Sequence, residues 1–273
     1  MTGPIGVFDS GFGGLTILKK FIEKLPKYDY MFLGDNARAP YGSRSFQTIY
    51  NYTLQAVKFL FEKGCPLVII ACNTASAKAL RSIQQNNLKL LNPNNRVLGI
   101  IRPTVEMLGS ITKTNNVGIL GTSGTINSKS YILETAKLFK NINVYQQACP
   151  MLVPLVENNE IDNFGTDFFV KKYIDLLFNQ NQNIDTIVLG CTHYPLLINS
   201  FKKYLPKNIN IIKQNEIVAE KLKDYLIRHP EIEQRISKKS TVKYLTTDSY
   251  EIFNKSASIF MNTIIESETI EIN

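Results

Sequence analysis

The sequence is poor in the features that most often reveal a cofactor or a membrane segment. It has no tryptophan, two histidines and four cysteines among 273 residues. The longest uninterrupted apolar run, Leu67–Cys72, has six residues, whereas a membrane-spanning helix needs about 20. The first residues, Met1–Pro4, lead into a strand-like segment without the basic and apolar regions of a signal peptide. These absences predict a cytoplasmic protein with no membrane partner.

Cysteine and glycine patterns give no cofactor signature. The cysteines Cys65, Cys72, Cys149 and Cys191 are far apart and form no C-x-x-C pair, which argues against a disulfide framework or a zinc site. There is no phosphate-binding G-x-x-x-x-G-K-[ST] motif, and Thr16 stands where the dinucleotide fingerprint needs its last glycine. We therefore predict no metal and no cofactor.

The charge is positive and unevenly distributed. The 31 Lys and Arg exceed the 23 Asp and Glu by 8, and most of this excess lies in residues 201–243. A basic patch of this kind is compatible with nucleic-acid binding. It lacks interleaved aromatic residues and any recognised nucleic-acid motif, so a solvated helical surface is the preferred interpretation.

Short apolar runs alternate with amphipathic stretches along the chain, which is typical of an α/β fold with parallel sheets flanked by helices. Helices are predicted from Leu15 to Leu25 and from Ser45, as N-cap, to Lys63. Strands are predicted at residues 5–8, 30–33, 67–71, 97–101, 117–120, 186–189, 209–212 and 242–245.

Two of these strands deliver a cysteine and a threonine in matching positions. Leu67–Ala71 is followed by Cys72, Asn73 and Thr74, and the strand at 186–189 is followed by Gly190, Cys191 and Thr192. Ligands of open α/β sheets collect at the carboxyl ends of the strands. A thiol at a helix start is also favoured as a thiolate, so both cysteines are candidate catalytic groups rather than buried apolar side chains.

Other residues divide into candidates and structural positions. His193 lies two residues after Cys191 and is predicted to handle protons. Cys65 and Cys149, each followed by proline, are predicted to be structural, and His229 to lie at the surface.

Several strings in this order resemble the cofactor-independent amino-acid racemases. They span nearly the whole chain: Phe8–Leu15 (FDSGFGGL), Pro40–Gly42 (PYG), Ala71–Ser76 (ACNTAS), Cys149–Pro150 with Val153–Glu157 (VPLVE), Gly190–Pro195 (GCTHYP) and Thr246–Asp248 (TTD). Arg102 departs from the pattern, because an apolar or variable residue is expected before Pro103. Arg102 is therefore expected to alter either the junction between the domains or a pocket that binds an effector.

The resemblance implies a two-thiol racemase without a cofactor. Cys72 and Cys191 would stand on opposite faces of the α-carbon of glutamate, with Asp9 assisting Cys72, and with His193, backed by Glu157, assisting Cys191. The implied substrate contacts come from the turns after the strands: Asp9, Ser10, Tyr41, Gly42, Asn73, Thr74, Thr122, Thr192 and His193.

The resemblance also implies two similar α/β lobes, each a mostly parallel sheet flanked by helices, with the active site between them. Residues 1–100 and 210–273 would form the first lobe and residues 101–209 the second, and the chain would act as a homodimer. The product would be D-glutamate for bacterial cell-wall synthesis. An aspartate racemase or related two-cysteine isomerase is the nearest alternative, and a basic nucleic-acid-binding protein is a distant one.

Overall fold

Two parallel β-sheets organise the chain, and the computed structural model describes residues 2–272. Within that part of the chain the strands are β1 (Ile5–Asp9), β2 (Tyr30–Gly34), β3 (Leu67–Ile70), β4 (Arg96–Gly99), β5 (Asn116–Gly121), β6 (Asn143–Ala148), β7 (Thr186–Gly190), β8 (Asn210–Ile212), β9 (Val242–Thr246) and β10 (Ser267–Thr269). One sheet has the order β10-β9-β2-β1-β3-β4 and the other β6-β5-β7-β8. All pairs are parallel. The predicted fold class is confirmed.

Helices cover these sheets. Their bounds are α1 (Leu15–Lys24), α2 (Phe46–Glu62), α3 (Asn73–Lys78), α4 (Leu80–Ser82), α5 (Leu88–Leu91), α6 (Ile101–Glu106), α7 (Leu108–Ile111), α8 (Ser123–Asn127), α9 (Ser130–Leu138), α10 (Leu152–Glu157), α11 (Phe164–Phe178), α12 (Ile198–Tyr204), α13 (Gln214–Arg228), α14 (Pro230–Glu233) and α15 (Tyr250–Met261). None of the helices within residues 2–272 is both long and apolar enough to cross a membrane.

Local sequence explains where the two predicted helices begin and end. The Ser45 side chain accepts a hydrogen bond from Thr48 N at 3.1 Å, which satisfies one of the free N–H groups at the start of α2. Gly64 follows α2 with a φ of 88°, a backbone conformation that glycine adopts without steric cost. Leu15, Leu18 and Phe21 form the buried face of α1.

The second sheet extends slightly further along the chain than the predicted lobe boundary. β8, at residues 210–212, pairs with β7, whereas the sequence interpretation assigned everything after 209 to the first lobe. The chain then rejoins the first sheet, because α13 packs against α1 and β9 pairs with β2. The outer limits of the predicted lobes, Met1 and Asn273, lie outside the described residues.

The basic segment at residues 201–243 forms helical surface in α12, α13 and α14. Several of its lysines lie beside carboxylates outside the segment, among them Lys221, whose Nζ is 3.3 Å from Glu106 Oε2, and Lys203, whose Nζ is 2.5 Å from Asp167 Oδ2. Neighbouring elements therefore neutralise part of the excess positive charge, which agrees with the interpretation of this segment as a solvated helical surface.

Candidate active site

A cavity of about 110 Å³ lies where the carboxyl ends of the two sheets meet. Among the residues lining it are Ser10, Tyr41, Gly42, Cys72, Asn73 and Thr74 from the first sheet's side, and Thr122, Glu157, Cys191, Thr192 and His193 from the second. The structure thus brings together every site residue predicted from the sequence except Asp9, which is buried and does not line the cavity. Sequence reasoning had not assigned the remaining lining residues to the site: Ala39, Pro40, Ser43, Ser123, Pro150, Val153 and Pro154.

Cys72 occupies the N-cap of α3, directly after β3. Its Sγ accepts a hydrogen bond from Ala75 N at 3.4 Å and lies 3.3 Å from Ser10 Oγ. Burial, together with the nearby Asp9 carboxylate, raises the pKa of the Cys72 thiol to about 12. Desolvation thus opposes the thiolate that the helix start favours, and it outweighs the local backbone hydrogen bond.

Asp9 ends β1 and is fully buried. One carboxylate oxygen, Oδ2, accepts a hydrogen bond from Gly11 N at 3.0 Å, while Oδ1 has no partner among residues 2–272. Burial raises the pKa of Asp9 above its ordinary value, although the charge of His193 acts in the opposite direction. A carboxyl group held in this way is suited to exchange a proton with a neighbour.

Cys191, His193 and Glu157 form a relay on the second sheet's side. His193 Nδ1 lies 3.8 Å from Cys191 Sγ, and Nε2 lies 3.1 Å from Glu157 Oε1. Burial works against the charged imidazole, but the hydrogen bonds to Cys191 and Glu157 raise the pKa of His193 to about 10. A positive charge therefore stands beside the Cys191 sulfur at neutral pH.

Two further residues shape this relay. A Cβ atom at Gly13 would lie 2.2 Å from Thr192 Oγ1 and 2.6 Å from His193 Nδ1, so only glycine allows the first sheet's turn to approach the histidine. The Phe260 ring of α15 packs edge-on against His193, with 5.8 Å between centroids. Nothing in the sequence indicated this role for Phe260.

The two lobes touch through polar groups at the rim of the cavity. Thr74 Oγ1 lies 2.8 Å from Thr122 Oγ1, and Gly124 N donates to Gly42 O at 2.7 Å. Tyr41 lines the cavity, but its hydroxyl donates to the buried Asp35 carboxylate. The hydrogen of this hydroxyl is therefore not free to bind a substrate.

A larger cavity of about 590 Å³ lies elsewhere between the lobes and is lined by Arg102. The Arg102 guanidinium is 3.2 Å from both Glu106 Oε1 and Glu134 Oε2. This residue therefore forms ion pairs at the lobe junction. A third cavity, of about 190 Å³, is lined by Cys191 but not by Cys72. Because both thiols and the histidine relay line the cavity of about 110 Å³, we assign the candidate active site there.

Metal-ligating groups are not clustered in the described part of the chain: no group of three or more His, Cys, Asp or Glu side chains could hold an ion there. The four cysteines are free and buried.

Known proteins match the chain along its whole length. The family model described as Asp/Glu/Hydantoin racemase matches residues 5–222. A glutamate racemase from a Sulfurihydrogenibium species is 38% identical over 271 residues, covering 99% of this chain and 98% of that protein.

Solved structures agree. Glutamate racemase isoform RacE1 from Bacillus anthracis superposes with a TM-score of 0.89 at 33% identity, covering 98% of this chain and 97% of the other. Glutamate racemase from Francisella tularensis in complex with D-glutamate gives 0.88 at 32% identity, with 99% and 98% covered. The chain therefore belongs to the Asp/Glu/Hydantoin racemase family.

Proposed function

We propose that this protein interconverts L-glutamate and D-glutamate with Cys72 and Cys191 as the two acid–base groups. The observation that carries this proposal is that the two sulfurs line one small cavity from separate sheets. A group on each side of a substrate carbon is what inversion by two-base proton exchange requires. The solved structure of the related Francisella tularensis glutamate racemase is a complex with D-glutamate, which supports glutamate as the substrate.

The proposed reaction conserves all atoms. One sulfur, as thiolate, takes the proton from the α-carbon, and the electron pair of the broken C–H bond stays on that carbon. The other sulfur, as thiol, gives its proton to the opposite face. The reverse direction uses the same two groups in exchanged roles.

The two thiols receive different help from their surroundings. Asp9, whose pKa is raised by burial, exchanges a proton with Cys72. His193 carries its positive charge beside Cys191 and is itself held by Glu157. This charge stabilises negative charge on the Cys191 sulfur, as a cation next to a thiolate does in general.

The α-proton of an amino acid is much less acidic than a thiol, so the site must stabilise the developing carbanion. Hydroxyl and amide groups of Ser10, Asn73, Thr74, Thr122 and Thr192 surround the cavity. We assign them to the ammonium and the two carboxylates of glutamate, where fixed dipoles in a dry site act strongly. Tyr41 and Gly42 contribute through their backbone.

The proposed function also includes a role for the product in the cell. D-glutamate is consumed in bacterial peptidoglycan synthesis, whose precursors are made in the cytoplasm.

We also propose that the chain has two lobes, divided near residues 100 and 210, and that it forms a homodimer. The support for a dimer is a set of exposed apolar side chains on α15, including Ile252 and Ile259. Light scattering coupled to size exclusion tests it, and a single species of monomer mass would overturn it.

The function is tested by circular dichroism of L-glutamate incubated with protein that has been dialysed against a chelator. We expect the signal to fall to zero without added pyridoxal phosphate or metal. Activity on L-aspartate alone would instead identify an aspartate racemase. No activity on either, together with salt-sensitive DNA binding, would favour a nucleic-acid-binding protein.

A further inference from the structure

One buried glutamine joins the helix that follows Cys72 to the second lobe. Gln214 is the first residue of α13 and is 4% exposed. Its Oε1 accepts a hydrogen bond from Asn73 Nδ2 at 2.8 Å, and Asn73 directly follows Cys72. Gln214 lines a neighbouring cavity of about 190 Å³ with Cys191 and Thr192 but not the cavity that both thiols share, so its hydrogen bonds reach that shared cavity through Asn73.

The hydrogen-bonding capacity of Gln214 matches its surroundings. Its Nε2 lies 3.0 Å from both Tyr131 OH and Thr104 Oγ1, which are closer than its other two acceptors, Asn73 Oδ1 and Ile100 O, both at 3.3 Å. Each of these hydroxyls uses its own hydrogen elsewhere: Tyr131 donates to Asn73 Oδ1 at 2.8 Å and Thr104 donates to Ile100 O at 2.7 Å. A neutral amide has two donor hydrogens and one acceptor oxygen. Gln214 therefore supplies both hydroxyl oxygens with a donor and Asn73 with an acceptor.

The same bonds fix the side chain of Asn73. Its Oδ1 receives the hydrogen of Tyr131, and one hydrogen of its Nδ2 goes to Gln214. The χ2 torsion of asparagine has a broad energy profile, so these two partners decide which way the amide faces. Asn73 lines the cavity, and the second hydrogen of its Nδ2 has no acceptor among residues 2–272.

The elements that meet at Gln214 come from both lobes. Asn73 starts α3 beside the first sheet, Tyr131 lies in α9 beside the second, and α13 packs against α1, α6 and β7. The side chain thus ties the turn of Cys72 to the lobe that carries Cys191. Buried polar networks of this kind specify one arrangement when every member has a partner.

We propose that Gln214 is a positioning residue for the racemisation: it orients the Asn73 amide toward the substrate and holds α3 in register with the second lobe. This inference rests on the proposed function. It assigns no contact between Gln214 and the substrate.

A double-mutant cycle between Gln214→Met and Asn73→Ala tests the inference. Methionine keeps the length and loses all three hydrogen bonds, so we expect kcat/KM for both enantiomers to fall about tenfold or more, the equivalent of one hydrogen bond. Because Gln214 acts through Asn73, the double variant should be no slower than Asn73→Ala alone, within about twofold. Effects that multiply, or a folded Gln214→Met variant with wild-type kcat and KM, would overturn the inference.

Two further variants separate positioning from stability. Thr53→Val removes a buried hydrogen bond to Ile49 O within α2, so it should lower the melting temperature and leave kcat/KM unchanged. Gln214→Glu keeps the acceptor for Asn73 Nδ2 and should retain more activity than Gln214→Met. If Gln214→Met does not fold, Gln214→Ala, which also removes every hydrogen bond of the side chain, takes its place in the cycle with the same criteria.

The wild-type protein separates this inference from the proposed function. If it does not racemise glutamate, both are wrong. If it does and the cycle shows no coupling, only the role of Gln214 is wrong.

Discussion

The two cysteines differ in what surrounds them more than in where they lie. Cys72 contacts Ser10 and lies near the buried carboxyl of Asp9, whereas Cys191 lies beside an imidazole that Glu157 holds. Burial raises the pKa of Cys72 to about 12, and a positive charge stands beside Cys191 at neutral pH. The Cys72 thiol is therefore protonated, whereas the His193 cation supports negative charge on the Cys191 sulfur. One direction of proton exchange needs this asymmetry, with one sulfur acting as the acid and the other as the base.

Asp9→Asn and His193→Asn should each slow turnover without unfolding the protein. Asp9→Asn preserves size and His193→Asn leaves a smaller polar side chain, and each removes a group that we propose exchanges protons with a thiol, a role worth roughly 10²- to 10⁴-fold in rate. Turnover followed in both directions by circular dichroism measures the effect. His229→Asn is the matched control, because His229 contacts Glu231 outside the cavity. Near wild-type rates for both site variants would make Asp9 and His193 structural.

The charge of His193 predicts a pH dependence of stability. Its pKa is about 10 in the folded protein and about 6.5 in an unfolded chain. A raised folded-state pKa contributes stability that is fully present below pH 6.5 and is lost as the pH rises through 10. The difference in melting temperature between wild type and His193→Asn should therefore shrink across that window. A difference that is constant from pH 6.5 to 10 would contradict the charged state.

Residue identities at the site followed from the sequence, but their charge states did not. The strings around Cys72 and Cys191 placed both thiols at strand ends, as found. Whether a thiol there is ionised depends on burial and on neighbours distant in sequence, which a short motif around Cys72 does not indicate. Gln214 and Phe260 gave no signal, because their roles arise only when α13 and α15 pack beside the site.

At the scale of elements, the parallel strands explain why the chemistry collects at one edge. β1, β3 and β7 each end just before Ser10, Cys72 and Cys191, and parallel strands have their carboxyl ends on the same side. The opposite edge serves stability. There, Asp185 precedes β7 and its carboxylate accepts hydrogen bonds from Thr112 Oγ1, Lys113 N and Thr114 N at 2.7, 2.6 and 2.8 Å.

Asp185→Asn should destabilise the second lobe by about 1–3 kcal/mol at pH 7, because an amide cannot accept from all of these donors. Although burial opposes ionisation, the hydrogen bonds lower the pKa of Asp185 below 3.8. The contribution is therefore present above pH 4 and is lost as the pH falls through the folded-state value. Denaturant unfolding at pH 7 and at pH 3 measures it, with exposed Asp162→Asn as control. An equal effect of both substitutions at pH 7 would contradict this role.

Strands with a recognisable apolar pattern were predictable, and strands without one were not. Leu67–Ile70 and Thr186–Gly190 are buried on both faces and their sequences indicate this. β6 has the sequence NVYQQA and is only half-buried at the edge of its sheet, so its pattern resembles a loop. β10 has three residues, SET, and lies at the other sheet's edge. A strand at the edge of a sheet is less buried, so its sequence lacks the apolar pattern on which such predictions depend.

At the scale of the whole molecule, the cavity exists because the two lobes approach closely. Thr74 and Thr122 meet across the rim, and Gly124 N donates to Gly42 O. Arg81 of α4 also pairs with Glu134 of α9. A small closed cavity excludes water, which strengthens every electrostatic interaction inside it.

Gly124→Ala should hold the lobes apart. A Cβ atom there would lie 2.9 Å from both Gly42 O and Thr74 Cγ2, which is closer than such atoms pack. We expect a higher KM and a lower kcat, by about tenfold in kcat/KM, with a small change in melting temperature. Gly165→Ala, at an exposed position in α11, is the control. Unchanged kinetics for Gly124→Ala would show that the contact does not gate the site.

The proposed mechanism requires two thiols that transfer protons at opposite faces of the same α-carbon. Cys72→Ser and Cys191→Ser each remove one thiol, and a hydroxyl is a far weaker acid and base at that position. Neither variant should racemise glutamate, since one proton transfer is missing. The remaining thiol can still remove a proton from its own enantiomer.

A glutamate analogue with a leaving group on the β-carbon makes that single step visible. The electron pair left by the α-proton expels the leaving group, and the resulting enamine hydrolyses to a 2-oxo acid and ammonia. Release of the 2-oxo acid from each enantiomer is the measurement. The racemase resemblance assigns Cys72 to the α-proton of D-glutamate and Cys191 to that of L-glutamate, so we predict that Cys72→Ser processes only the L form and Cys191→Ser only the D form. Undiminished racemisation of glutamate by either variant would contradict the two-thiol mechanism.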